Sequence, residues 1–125
     1  MKMVYYIEQD LRDILNQRRP SGSRNEARFA ARLVRKYSRY LQEVDEAGNL
    51  LFRVGDSETL FVAHLDTVCS GNPDDFNYLE VGESTVMAVD HQLGADDGAG
   101  IYLLISRMIH RLPGWYLFTR GEECG

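Results

Sequence analysis

Thr59-Leu60-Phe61-Val62-Ala63-His64-Leu65-Asp66-Thr67 is the stretch on which the fold turns. Thr59 to Ala63 is a continuous run of the kind that suits a strand buried on both faces, in a sheet with helices on either side. His64 and Asp66 follow at once. Residues two apart in extended chain leave the same face. An imidazole and a carboxylate therefore project together from the C-terminal end of a strand. Neutral imidazole ligates zinc-like metals, and a nearby carboxylate can accept the other ring N–H and fix the tautomer. Taken alone, the pair reads equally well as a surface histidine beside an aspartate.

Outward from this strand the chain alternates helix and strand. Val4, Ile7, Leu11, Ile14 and Leu15 recur at amphipathic-helix spacing, and that helix ends near Arg18. Arg19-Pro20-Ser21-Gly22-Ser23 is turn sequence, because proline biases its predecessor away from helix. Ser23 is placed to cap a second helix, with Glu26 completing a capping box. That helix carries Ala27, Ala30, Ala31, Val34 and Tyr37 on one face and runs to about Arg39. Tyr40 to Val44 and Asn49 to Val54 form a hairpin around Glu46-Ala47-Gly48-Asn49. Leu79 to Val89 holds one or two short strands. A third helix runs from about Gly98 to His110, with Ile101, Leu104, Ile105, Met108, Ile109 and Leu112 in one stripe. Pro113-Gly114 ends it, and Trp115 to Thr119 is another buried strand. The expected class is α/β: helices packed on a mixed, mostly parallel sheet with an antiparallel edge hairpin, in one domain spanning residues 1–125.

Two more acidic motifs complete a pattern. Asp96 and Asp97 sit at the start of the third helix, flanked by Gly94-Ala95 and Gly98-Ala99-Gly100. A helix N-terminus offers free N–H groups and positive partial charge, so an acidic first turn accounts for the pair in one reading. The small flanking residues favour the other reading, close backbone approach around a cation, at a helix-propensity cost of about 1 kcal/mol per glycine. Glu122 and Glu123 follow the last strand. One of such a pair can bind metal while the other acts as general base; alone, the pair reads as an acidic turn. All three motifs follow apolar strand candidates, and open α/β sheets bind ligands beyond the carboxyl ends of their strands.

Composition narrows the partners. The 125 residues carry a net charge of −5, which argues against a nucleic-acid backbone as partner. Arg18, Arg19, Arg24, Arg28, Arg32, Arg35, Lys36 and Arg39 cluster, but at helical spacing among apolar and acidic residues, which reads as a solvated helix face. Cys69 and Cys124 form neither a close pair nor a zinc-ribbon spacing. No apolar stretch reaches the roughly 20 residues of a membrane span. Met1 to Glu8 lacks a signal-peptide core. The expected compartment is the cytoplasm, with no membrane partner.

The residues resemble the zinc-dependent exopeptidase superfamily, which includes tripeptidase-like enzymes, aminopeptidases, carboxypeptidases and amide-cleaving deacylases. Pro20-Ser21-Gly22-Ser23 with Glu26 is similar to its N-terminal segment, and Val44-Asp45-Glu46-Ala47-Gly48-Asn49-Leu50 to its first hairpin. Phe61 to Val68, Leu93 to Gly100 and Gly121-Glu122-Glu123 resemble its three metal motifs in order and spacing. The resemblance implies zinc as cofactor, two divalent ions in the complete site, with cobalt or manganese as alternatives. It implies His64 and Glu123 as ligands of different ions, Asp96 as bridging ligand and Asp97 in support. Asp66 would orient His64, and Glu122 would be the general base. It also implies a cis peptide at Asp96–Asp97. The expected function is metal-dependent hydrolysis of a peptide or an N-acyl amino acid, as the N-terminal part of a complete catalytic domain. The alternative is a catalytically inactive, truncated relative serving as a binding module. A further Asp and a final His that the family uses have no counterpart here, so the domain reads as incomplete. The sheet would then need self-association or a partner chain to complete it. His110 reads as a helix C-terminal cap, and His91 as a distant candidate for the site.

Overall fold

A computed structural model describes residues 9–67, 79–81, 86–88 and 95–121. Its elements, in order, are α1 (Gln9–Leu15), α2 (Arg24–Lys36), a 3-10 turn (Ser38–Tyr40), β1 (Leu41–Val44), β2 (Leu50–Val54), β3 (Leu60–His64), β4 (Leu79–Val81), β5 (Val86–Ala88), α3 (Ala95–Ile109) and β6 (Gly114–Thr119). The main sheet has the order β1-β2-β6-β3. β1 and β2 form the expected edge hairpin, β2 pairs antiparallel with β6, and β6 pairs parallel with β3. The sheet is mixed, with a larger antiparallel share among its described pairs than the sequence suggests. β4 and β5 form a separate two-stranded antiparallel ribbon, so the strand ahead of Asp96 is not part of the main sheet.

One face of the sheet is the core. Leu50, Phe52, Val54, Ala63, Tyr116 and Phe118 are buried against Ile14 of α1, Phe29, Ala30 and Leu33 of α2, and Ile101, Leu104, Ile105 and Met108 of α3. Phe52 lies edge-on to both Tyr37 and Phe118, at centroid distances of 6.4 and 5.7 Å, the geometry that aligns a positive ring edge with a negative face. β3 departs from its expected burial on both faces. Leu60 and Val62 are 52% and 53% exposed on the face opposite the core. Parallel register places them level with Trp115 and Leu117 on that open side.

The helix ends follow local chemistry. The Glu26 N–H donates to Ser23 Oγ at 3.1 Å, the expected N-cap. The return arm differs: Glu26 Oε1 accepts from the Gly22 N–H at 3.1 Å, one residue before the cap. The buried face of α2 also differs from the expected one. Glu26, Phe29, Ala30, Leu33 and Tyr37 are buried, whereas Ala27 and Ala31 are exposed. Phe29 and Leu33 bury far more apolar area than alanines would, and they set the rotation of the helix. α2 stops at Lys36, before the expected Arg39, because the chain tightens into the 3-10 turn.

α3 closes with a Schellman arrangement: the Leu112 N–H bonds the Arg107 carbonyl and the Arg111 N–H the Met108 carbonyl. Arg111 takes the left-handed conformation there, with φ 55°. His110 Nδ1 lies 2.7 Å from the Ser106 carbonyl, the capping role expected of it. A non-glycine residue at such a φ costs about 1–2 kcal/mol. Arg111→Gly should therefore raise stability by up to about 1 kcal/mol, after the added freedom of the unfolded chain is subtracted. An unchanged or lowered urea midpoint would contradict this account of the helix end.

Candidate metal-binding site

The parallel pairing of β3 and β6 sets the site. His64 stands level with Thr119, and the Leu65 N–H continues the ladder to the Thr119 carbonyl at 2.8 Å. The two strands thus deliver their C-terminal ends side by side. Beyond β6, Arg120 and Gly121 are described, the latter with φ 81°. Glu122 and Glu123 lie outside the described residues, as do Cys69, Cys124 and His91.

α3 brings its aspartates to the end of β3. Asp96 and Asp97 have non-helical dihedrals, and the peptide between them is cis, as the resemblance implies. Asp97 Oδ2 accepts the backbone N–H of His64 at 3.1 Å, which ties the helix start to the strand end. The two neighbouring glycines have different reasons. At Gly98 a Cβ would stand 3.1 Å from Leu15 Cδ2 and 3.3 Å from Ile14 Cγ2, so the missing side chain lets α1 and α3 close. At Gly100 a Cβ would occupy the place of the Asp97 carboxylate.

The His64 ring is held between two oxygens. Nδ1 lies 2.7 Å from the main-chain carbonyl of Asp66, and Nε2 lies 3.1 Å from Asp96 Oδ1. A carbonyl only accepts, so Nδ1 carries the proton. The ring N–H expected to meet the Asp66 carboxylate meets its carbonyl instead; the nearer carboxylate oxygen is 3.7 Å away. Nε2 then presents a lone pair to a carboxylate. Two acceptors at that distance need positive charge between them: a second ring proton or a cation. Burial disfavours the charged ring, but the Asp66 carbonyl and the carboxylates of Asp96, Asp97 and Asp66 outweigh it, and the pKa of His64 is raised. The Asp96 side chain is 87% exposed and open to solvent. An oriented imidazole and an exposed carboxylate are the donor types a zinc-like ion takes. Among the described residues no group of three or more such ligands comes together.

Behind the ring, around Asp66, the site is anchored by arginines whose part the sequence did not disclose. Asp66 is 0% exposed, and so is Arg19, which the charge pattern had assigned to a solvated helix face. Arg19 Nε donates to the Leu65 carbonyl at 2.9 Å, and Nη1 donates to the carbonyls of Ile14 and Gln17. Its backbone exchanges bonds with Thr67: the Arg19 N–H donates to Thr67 Oγ1, and the Thr67 N–H to the Arg19 carbonyl. Burial lowers the Arg19 pKa to about 10, against the opposing pull of Glu26 and Asp66, and leaves it charged at neutral pH. At the other strand, Arg120 donates to Glu26 Oε1 at 2.9 and 3.2 Å, and its N–H donates to Asn49 Oδ1 at 2.8 Å. For Arg19 and Arg120 the sequence carried no such signal, and Glu26 was read only as a cap.

No family model and no curated protein matches the chain. Solved structures do match it. Aminoacylhistidine dipeptidase from Vibrio alginolyticus aligns with a TM-score of 0.77 at 22% identity, over 94% of this chain and 28% of that one. Aminopeptidase PepT from Bacillus cereus aligns with a TM-score of 0.64 at 19% identity, over 94% of this chain and 36% of that one. This chain has the fold of the matched part of these peptidases. At such identities the likeness is one of fold, and the chain spans about a third or less of either relative's length.

The raised pKa of His64 sets a pH dependence. The folded protein binds this proton more tightly than the unfolded chain, whose histidine titrates near about 6.5. The stabilisation is fully present below that value and is lost as pH rises through the raised native pKa. Urea unfolding of the metal-free protein should show this loss, and His64→Gln should flatten it. An identical pH profile in the variant would show that His64 is not the titrating group.

Proposed function

We propose that the chain belongs to a metal-dependent hydrolase of peptide or amide bonds, of exopeptidase type. The observation that carries this reading is the His64 ring, fixed by the Asp66 carbonyl and aimed at Asp96, at the C-terminal end of a parallel strand. The fold shared with two peptidases supports it. His64 would hold one ion through Nε2, Glu123 a second, and Asp96 would bridge them. Zinc is the expected metal, and the cytoplasm the expected setting. Two such ions, when bound, polarise the scissile carbonyl and make water acidic enough to deprotonate near neutral pH.

The protein's own residues supply orientation and proton transfer. Asp66 would keep the His64 proton on Nδ1, leaving Nε2 as donor. Asp97 would hold the main chain of His64 through its carboxylate. Glu122 would take a proton from the attacking water and pass it to the leaving amine. The substrate would be a peptide or an N-acyl amino acid.

A second reading, a non-catalytic binding module, is favoured by the half-exposed Leu60 and Val62 on the open face of the sheet. That face would be covered by self-association or by a partner chain. Calorimetry with zinc, cobalt or manganese separates the two. We expect uptake that His64→Ala abolishes. We also expect peptide or N-acyl amino acid hydrolysis that falls by about 10²–10⁴ in Glu122→Gln while metal uptake persists. Absence of metal uptake by the intact chain would favour the binding module.

A further inference from the structure

We propose that Arg19 is the positioning residue of the candidate site: its buried guanidinium and backbone hold residues 64–67 so that His64 keeps its proton on Nδ1 and turns Nε2 toward Asp96. This rests on the reading of His64 as a ligand, but its geometry stands apart from any metal.

Arg19 lies in the connection between α1 and α2, far from His64 in sequence. Its side chain is fully buried. It joins the end of α1 and the residues just past it, through the Ile14 and Gln17 carbonyls, to the Leu65 carbonyl just past β3. Its N–H and carbonyl bracket Thr67. Residues on both sides of Asp66 are thereby fixed to one side chain and its peptide unit. The Asp66 carbonyl is the group that receives the His64 ring proton. A carbonyl can set a ring only if its own peptide plane is held, and here Leu65 and Thr67 are the points at which it is held.

Charge gives the same arrangement a second reason. Asp66 is buried without exposure, and Arg19 interacts favourably with it and with buried Glu26. The guanidinium stacks over Phe29 at 5.0 Å from the ring centroid, which closes its other side to water. Nη2 has no partner among the described residues. A charge held in so dry a place costs free energy that only well-placed contacts offset, and the carbonyls of Ile14, Gln17 and Leu65 supply them. A lysine has one ammonium in place of the planar fork and cannot reproduce the set.

The experiment uses the full chain, with Arg19→Met and Arg19→Lys. Imidazole nitrogen shifts, recorded without metal and above the ring titration, report the tautomer of each histidine. His110, whose Nδ1 meets the Ser106 carbonyl at the far end of α3, is the internal control. In the native protein His64 should be the Nδ1–H tautomer. In Arg19→Met its two nitrogen shifts should converge on a tautomer mixture while His110 stays unchanged. Cobalt affinity should fall 10- to 100-fold, the usual loss when an outer support of a ligand is removed. Arg19→Lys should lie between the two; should Arg19→Met fail to fold, it decides by the same readings. An unchanged His64 tautomer overturns the inference. So does a lost tautomer with cobalt affinity within twofold of native, since the ring would then need no holding. If the native chain takes up no cobalt, the hydrolase reading fails and the tautomer alone decides.

Discussion

The parallel register of β3 against β6 is the constraint from which the remaining geometry follows. Because both strands run the same way and His64 stands level with Thr119, their C-terminal ends emerge at one edge. Parallel strands cannot be joined by a tight turn, so the chain between them must cross over. It does so through α3, whose first turn lands on the end of β3 and gives Asp97 to the His64 N–H. The helix that buries Ile101, Leu104, Ile105 and Met108 in the core is therefore the same element that delivers Asp96 to the His64 ring.

This edge is braced from behind by the connection between α1 and α2. Arg19 ties it to the end of β3, and Glu26, in the first turn of α2, binds Arg120 at the end of β6. Two opposite charges a few residues apart thus hold the ends of two strands. Each is hydrogen-bonded to its own strand end, and the favourable interaction between the two buried charges adds to that bracing.

Much of the architecture was legible in the sequence because it depends on local chemistry. Ser23 caps α2, Gly48 turns the hairpin with φ 87°, and Ile101, Leu104, Ile105 and Met108 of the expected stripe face the core, while its last two members, Ile109 and Leu112, are exposed. These follow from periodicity and turn preference within a few residues. Readings that needed distant partners fared less well. Ala27 and Ala31 were placed on the buried face of α2, but Phe29 and Leu33 dominate it. β3 was read as buried on both faces from its apolar run, and one of its faces is open.

The sequence by itself determined which elements form, where His64, Asp66, Asp96 and Asp97 stand in them, and the chemical types of donor they offer. Such information is local: side-chain alternation in a strand, caps at a helix start, and small residues where the backbone must close. Only the tertiary structure decided that the His64 ring proton goes to the Asp66 carbonyl and that Arg19 is a buried anchor. An arginine's charge and spacing are the same on a solvated helix face and in a sealed core. What distinguishes the two is whether distant carbonyls and carboxylates converge on it, and that depends on how the helices pack against the sheet.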